Sequence, residues 1–325
     1  MKRLISILLV SLMMLTVLTA CGGSSAASLK LGLGLATTAS ATDATEDKAG
    51  EGKFTVTAAA VLVDNAGKIV KAFIDCADNT VAYTANGGTA IEEGTRTKYE
   101  SGADYGMVAY GGAAKEWFEQ ADAFCALIVG KTAAEVKALV AADYKGTEEV
   151  LNAGCTIYVS DFVTAVVNAM ETASDCKATK NDTVKLGVAT TLTETDLTEE
   201  KPGSIKVEVA LCAAAVGADG KITAACSDTV EASFGFDVAG KSLFDASQAI
   251  QSKRTQGTNY GMVAYGGAAK EWFEQADAFD AAIVGKTASE IPAMLGEDGK
   301  GPADLQAAGC TIAISSFVKA AAKLG

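Results

Sequence analysis

The chain has 325 residues, 40 of them acidic and 27 basic, for a net charge of −13. With no basic run interleaved with aromatics, that balance argues against nucleic acid or an anionic lipid surface as a partner. Histidine is absent, which excludes Ser-His-Asp and Cys-His hydrolysis, HExxH zinc sites and His-ligated haem, so no metal site is expected.

Taken from the N-terminus, Lys2 and Arg3 precede an apolar stretch from Leu4 to Leu18, which ends in Leu18-Thr-Ala-Cys21. This is the layout of a signal peptide over residues 1–20, too short and wrongly flanked for a spanning helix. The small residues before Cys21 resemble the lipobox of bacterial lipoproteins. That resemblance implies a lipidated Cys21 followed by a tether over residues 21–27. The lipid would hold the mature chain on the outer face of the cytoplasmic membrane, in the Gram-positive manner, anchored without spanning. Losing Lys2 and Arg3 takes the net charge to −15. Seven cysteines remain: Cys76, Cys125, Cys155, Cys176, Cys212, Cys226 and Cys310. The odd number and the lack of any CxxC pair point to free thiols or small buried hydrophobes, and to no disulfide framework.

The mature part reads as one unit written twice. YGMVAYGGAAKEWFEQADAF occupies Tyr105–Phe124 and recurs without change at Tyr260–Phe279. At the same offset Ile128–Thr132 recurs as Ile283–Thr287, and Ala153-Gly-Cys-Thr-Ile157 as Ala308–Ile312. The flanks have diverged, which suggests shared selection on the recurring segments. The expected domains are residues 28–173 and 183–325, each with its own core, joined by the polar run 174–182.

Each copy reads as strands, then helices, giving an α+β fold with an antiparallel sheet. Residues 53–63 and 68–76 flank Asp64-Asn-Ala-Gly67, which is hairpin chemistry; Asp219-Gly220 serves in the second copy. A short extended piece is expected over 80–84. From Ala113 the spacing turns helical, with Trp117, Ala121, Phe124 and Ile128 on one face. Position 125 is Cys in one copy and Asp280 in the other, so that edge is expected to meet solvent. Thr132 with Glu135 and Thr287 with Glu290 are capping boxes opening a further helix. A last helix carries Phe162, Val163, Val166 and Val167 inward, and 315–322 repeats it.

Two glycine motifs invite phosphate-binding readings and fail. Gly32-Leu-Gly34 lacks a third glycine and lies in a first strand. Gly130-Lys-Thr132 would need its leading glycine at Cys125, and a helix cap accounts for the threonine.

AGCTI ahead of a helix resembles the flavinylation segment of the FMN-binding domain family. There a flavin transferase esterifies a threonine hydroxyl with FMN phosphate outside the cytoplasm. The resemblance implies Thr156 and Thr311 as two covalent FMN sites, with Gly154, Cys155, Gly309 and Cys310 beside them. Cys155 and Cys310 are the rival acceptors. Val150 and Leu305 stand where that family often has Asp. Glycine permits close approach by an enzyme, and the following helix start favours an anion. Lys98 and Lys253 precede Tyr-Gly-Met as in the family. Tyr105, Gly106, Met107, Tyr110 and Trp117, with Tyr260, Gly261, Met262, Tyr265 and Trp272, would form the ring pockets. The implied function is an electron carrier, more a redox protein than an enzyme with its own substrate. It would take electrons from a membrane redox donor and pass them to a small-molecule or protein acceptor outside. The competing reading is a cofactor-free surface binding or adhesion lipoprotein.

Overall fold

A computed structural model describes residues 28–84, 86–90 and 96–325. The signal segment, the tether and Cys21 lie outside the described residues. Strands β1 (Leu29–Ala41), β2 (Gly50–Val63) and β3 (Ile69–Tyr83) form an antiparallel meander, and β4 (Thr89–Ala90) extends its outer edge. Helices α1 (Lys98–Ser101), α2 (Trp117–Ile128), α3 (Ala133–Lys137), α4 (Glu148–Ala153) and α5 (Ser160–Thr172) follow. Strand β5 (Ser174–Cys176) then pairs with Leu29–Leu31, so the expected linker contributes a strand to the first sheet. A second antiparallel sheet comprises β6 (Thr183–Thr195), β7 (Gly203–Val216) and β8 (Ile222–Phe236). After it come α6 (Lys253–Gln256), α7 (Trp272–Ile283), α8 (Ala303–Ala307) and α9 (Ser315–Ala321). The fold is α+β, with antiparallel sheets and helices.

Period-two patterning decides how the layers stack. On β2, Phe54, Val56, Ala58, Ala60 and Leu62 point one way, and Ala59, Val61 and Val63 the other. The second group meets α2 and α5. The first group meets the facing residues of β7 and β8, among them Val207, Val209, Leu211 and Phe234. The order is therefore helices, sheet, sheet, helices. Because both faces of β2 are covered, its buried end reads as an unbroken apolar run, Ala58–Val63. The sequence leads one to expect a private core in each half. Each half has one beneath its helices, but a third core is common to both. Tyr83 and Phe236 stack across it, ring centroids 4.6 Å apart and planes within 6°.

Two expectations are corrected. The pieces 68–76 and 80–84 merge into the single strand β3, paired with β2 from end to end apart from a register shift at Val70. Asn79, between the two pieces, is buried and donates to the Phe54 carbonyl at 3.1 Å. Position 125/280 does not meet solvent: both Cys125 and Asp280 are buried. Asp280 is accommodated because Arg254 stands where the first copy has Tyr99. Arg254 reaches Asp280 at 3.2 Å and Asp277 at 2.7 Å, and Ser227 donates its N–H to Asp280 at 2.9 Å. A buried carboxylate requires such partners. Tyr99 instead bonds Asp122 at 3.2 Å and leaves a neutral thiol at 125.

The Gly32-Leu-Gly34 pair has a packing role. A Cβ at Gly32 would run into the Ala169 carbonyl of α5, and one at Gly187 into the Ala320 carbonyl of α9. Each glycine lets a helix backbone lie directly on the first strand of its sheet. The inward faces of α2 and α5 match the helical spacing, and both capping boxes form.

Candidate functional site

Helix α4 ends at Gly154, φ +94°, and α8 is followed by Gly309, φ +105°. That left-handed turn suits glycine. It also leaves room for a side chain from the identical block: Lys115 crosses the face where a Gly154 Cβ would stand, and Lys270 does the same at Gly309. Lys270 donates to the Ala308 carbonyl at 2.9 Å.

The next two residues face opposite ways. Cys155 and Cys310 are fully buried, whereas Thr156 and Thr311 are exposed. Burial pushes both thiols up to about 11, so they are neutral and shielded, poor acceptors beside an exposed threonine. Thr156 donates its N–H to Gln120 Oε1 at 2.8 Å and its hydroxyl to the same oxygen at 3.1 Å. Thr311 does so with Gln275 at 2.9 and 3.0 Å. Gln120 is itself buried and anchored through Nε2 to the Lys115 carbonyl at 3.0 Å. Thus AGCTI and the twenty-residue block, far apart in sequence, form one site in each half.

The block folds around a carboxylate. Glu116 accepts from Met107 N–H at 2.9 Å and Val108 N–H at 3.1 Å, and Glu271 holds Met262 and Val263 in the same way. This pins the loop 106–113 to the start of α2. Beyond it lies a cavity of about 330 Å³, bounded by Tyr105, Met107, Trp117, Ile157, Tyr158 and Phe162, with Lys98, Thr57, Cys76 and Asp161 as its polar wall. Lys98 Nζ sits 5.4 Å from the Tyr105 ring centroid, 5.9 Å from that of Trp117, and 2.8 Å from Asp78. In the second half Lys253 sits 5.5 Å from Tyr260 and 5.9 Å from Trp272, paired with Glu208 at 3.2 Å and Glu231 at 3.3 Å. Burial opposes both charges. It is outweighed at Lys98 by Cys76 and Asp78, and at Lys253 by Glu208 and Glu231, so both ammonium groups are held above the ordinary lysine range. Each cation lies against the faces of two aromatic rings of its own half.

Of the residues expected to line ring pockets, Tyr105, Met107 and Trp117 meet at the cavity, and Tyr260, Met262 and Trp272 gather around Lys253 and Gln275. Tyr110 and Tyr265 do not; they are 92% and 90% exposed. Gly106 and Gly261, both left-handed, are covered by those same tyrosine rings of the chain itself. Val150 and Leu305 are buried core residues, which accounts for their apolar character. Sequence reasoning missed Gln120, Lys115, Glu116 and their counterparts. Their one legible signal was membership of the identical block. The positive group against the AGCT turn is Lys115 or Lys270, while the α5 helix starts only at Ser160.

No family model, curated protein or solved structure matches the chain.

Proposed function

We propose that the chain is a lipid-anchored, extracytoplasmic electron carrier bearing two covalently attached FMN groups, at Thr156 and Thr311. One observation carries the reading: in each half an exposed threonine, its hydroxyl held by a buried glutamine, follows two residues after a glycine that a lysine covers. In the first half the residues after that threonine line an aromatic cavity.

The residues fit the group. Thr156 is an exposed residue whose hydroxyl is held by Gln120, while Cys155 beside it is shut away. Lys115 and Lys270 place a positive charge against the turn where a phosphodiester would sit. The cavity is at the small end of the range for ligand pockets, and its aromatic and thioether walls suit a flat ring. Lys98, on the wall of this cavity, would favour negative charge on a ring held there. FMN supplies reversible uptake of electrons and protons; the protein's part is to hold, shield and tune it. Covalent attachment suits a location outside the cell, where a dissociated cofactor would be diluted away. The donor would be a membrane redox protein, and the acceptor a small molecule or protein outside.

The test is expression together with a flavin transferase, then denaturing electrophoresis. A fluorescent band at the protein's position is expected. A colourless, non-fluorescent protein despite an active transferase would leave the cofactor-free surface lipoprotein as the better account.

A further inference from the structure

The two halves surround one lysine differently. Strands β2 and β7 pair with β3 and β8 in the same register, so Thr55, opposite Asp78, corresponds to Glu208, opposite Glu231. In the same way Thr57 and Cys76 correspond to Ala210 and Thr229, and Lys98 to Lys253, each the first residue of its helix. Among the described residues Lys253 ion-pairs with two carboxylates, Glu208 and Glu231, whereas Lys98 has Asp78 alone. Cys76 does not make up the difference. Burial pushes its thiol up to about 12, so it is neutral at physiological pH. Asp161, also on the cavity wall, makes no ion pair with Lys98 among the described residues. It belongs to the first turn of α5, where a helix start favours a carboxylate.

An ammonium group has three donors, and a cation withdrawn from water is costly unless anions answer it. The second half supplies its second anion from its own chain, as Glu208. In the first half the uncharged Thr55 stands at that position, and both Thr55 and Lys98 line the cavity of about 330 Å³. A ligand in this cavity can therefore bring to Lys98 the carboxylate that Glu208 brings to Lys253. The remaining walls specify the body of such a ligand. Tyr105, Met107 and Trp117 offer flat and polarisable faces. Tyr158 forms a further wall where the second half has Ala313. The volume suits a small ring system.

We infer that the first-half cavity binds a flat aromatic carboxylate, its ring against Tyr105, Met107 and Trp117 and its carboxylate on Lys98, in the role that Glu208 fills in the second half. The inference does not rest on the flavin reading, because it concerns a free acid and the unmodified chain. It also makes the halves unequal: one is open to an anionic ring, and the other already carries its anion.

The probes are β-naphthoate and its neutral amide, β-naphthamide, titrated by calorimetry into the full chain produced without a flavin transferase. One naphthoate per chain is expected, with the amide weaker by about tenfold or more, the effect of losing a hydrogen bond to a charged group. Lys98→Gln and Thr55→Glu should each abolish that preference, the first by removing the cation and the second by neutralising it as Glu208 does. Thr55→Gln, equal in size to the glutamate and uncharged, should keep it. Unchanged thermal unfolding checks the fold of each variant, and the comparison of acid with amide on the unaltered chain stands even where a variant fails to fold. Equal affinity for acid and amide overturns the inference, as does a preference that survives Thr55→Glu. Absence of saturable binding at millimolar naphthoate also overturns it. None of these outcomes bears on whether Thr156 takes flavin, which the fluorescent band tests separately.

Discussion

Replacing Phe236 by Ala tests whether the two halves unfold as one. Phe236 belongs to β8, yet its ring is fully buried against Tyr83 of β3, 4.6 Å away and nearly parallel. A Cβ at Gly203 would strike the Phe236 ring, and one at Gly50 would strike Tyr83, so backbone already lies against both rings and little can collapse into the gap. Truncation of such a residue costs about 3–5 kcal/mol, the lost transfer energy together with an unfilled cavity. The chain has two tryptophans, Trp117 on α2 and Trp272 on α7, so Trp272→Phe and Trp117→Phe each leave a reporter in one half. Urea unfolding by fluorescence is run in each background with and without Phe236→Ala. If the core between the sheets couples the halves, the Trp117 transition moves to lower urea as far as the Trp272 transition does. A Trp272 transition that moves while Trp117 stays put would show that the shared core contributes no coupling.

Burial pushes the Asp280 carboxyl up to about 6, with Arg254 and Ser227 offsetting only part of the cost. A raised carboxylate pKa means that its stability contribution is full below the ordinary value near 3.8 and is lost as pH rises through about 6. Asp280→Asn should therefore remove about 3 kcal/mol of the stability lost between pH 4 and 7, measured by denaturant midpoints across that range. Asp75, raised likewise to about 6, should preserve a residual slope in the variant. Gly32→Ala drives a Cβ into the Ala169 carbonyl and should cost about 1–3 kcal/mol as α5 backs off the sheet, seen as a lowered melting temperature; an unchanged value would mean the helix sits further out. Cys21→Ser should release the protein from the membrane fraction into the medium, and unchanged fractionation would refute lipid anchoring.

Much of the local structure was legible because local chemistry dictates it. Thr132 and Thr287 cap their turns as their spacing to glutamate requires, and Trp117, Ala121, Phe124 and Ile128 share the buried face. The Asp64–Gly67 turn forms with Gly67 left-handed. What escaped was pairing at a distance. Position 125/280 read as solvent-facing because a buried Asp is intolerable alone; its partner, Arg254, replaces Tyr99 at another point on the chain. The shared core escaped as well, although the run Ala58–Val63 carried the sign of a strand covered on both faces. At the site, a short motif singles out the threonines, but Gln120, which binds Thr156, and Lys115, which covers Gly154, reach that turn through space and have no motif of their own.

Intact-mass measurement after expression with a flavin transferase tests the central claim most directly. It is made on the unaltered protein, Thr156→Ala, Thr311→Ala and the double variant. The account predicts two, one, one and no covalent FMN groups, with the fold retained because both threonines are exposed residues and each loses one side-chain hydrogen bond, worth about 1 kcal/mol. Flavin that persists in the double variant would place the attachment elsewhere, and an unaltered protein without flavin would contradict the account outright.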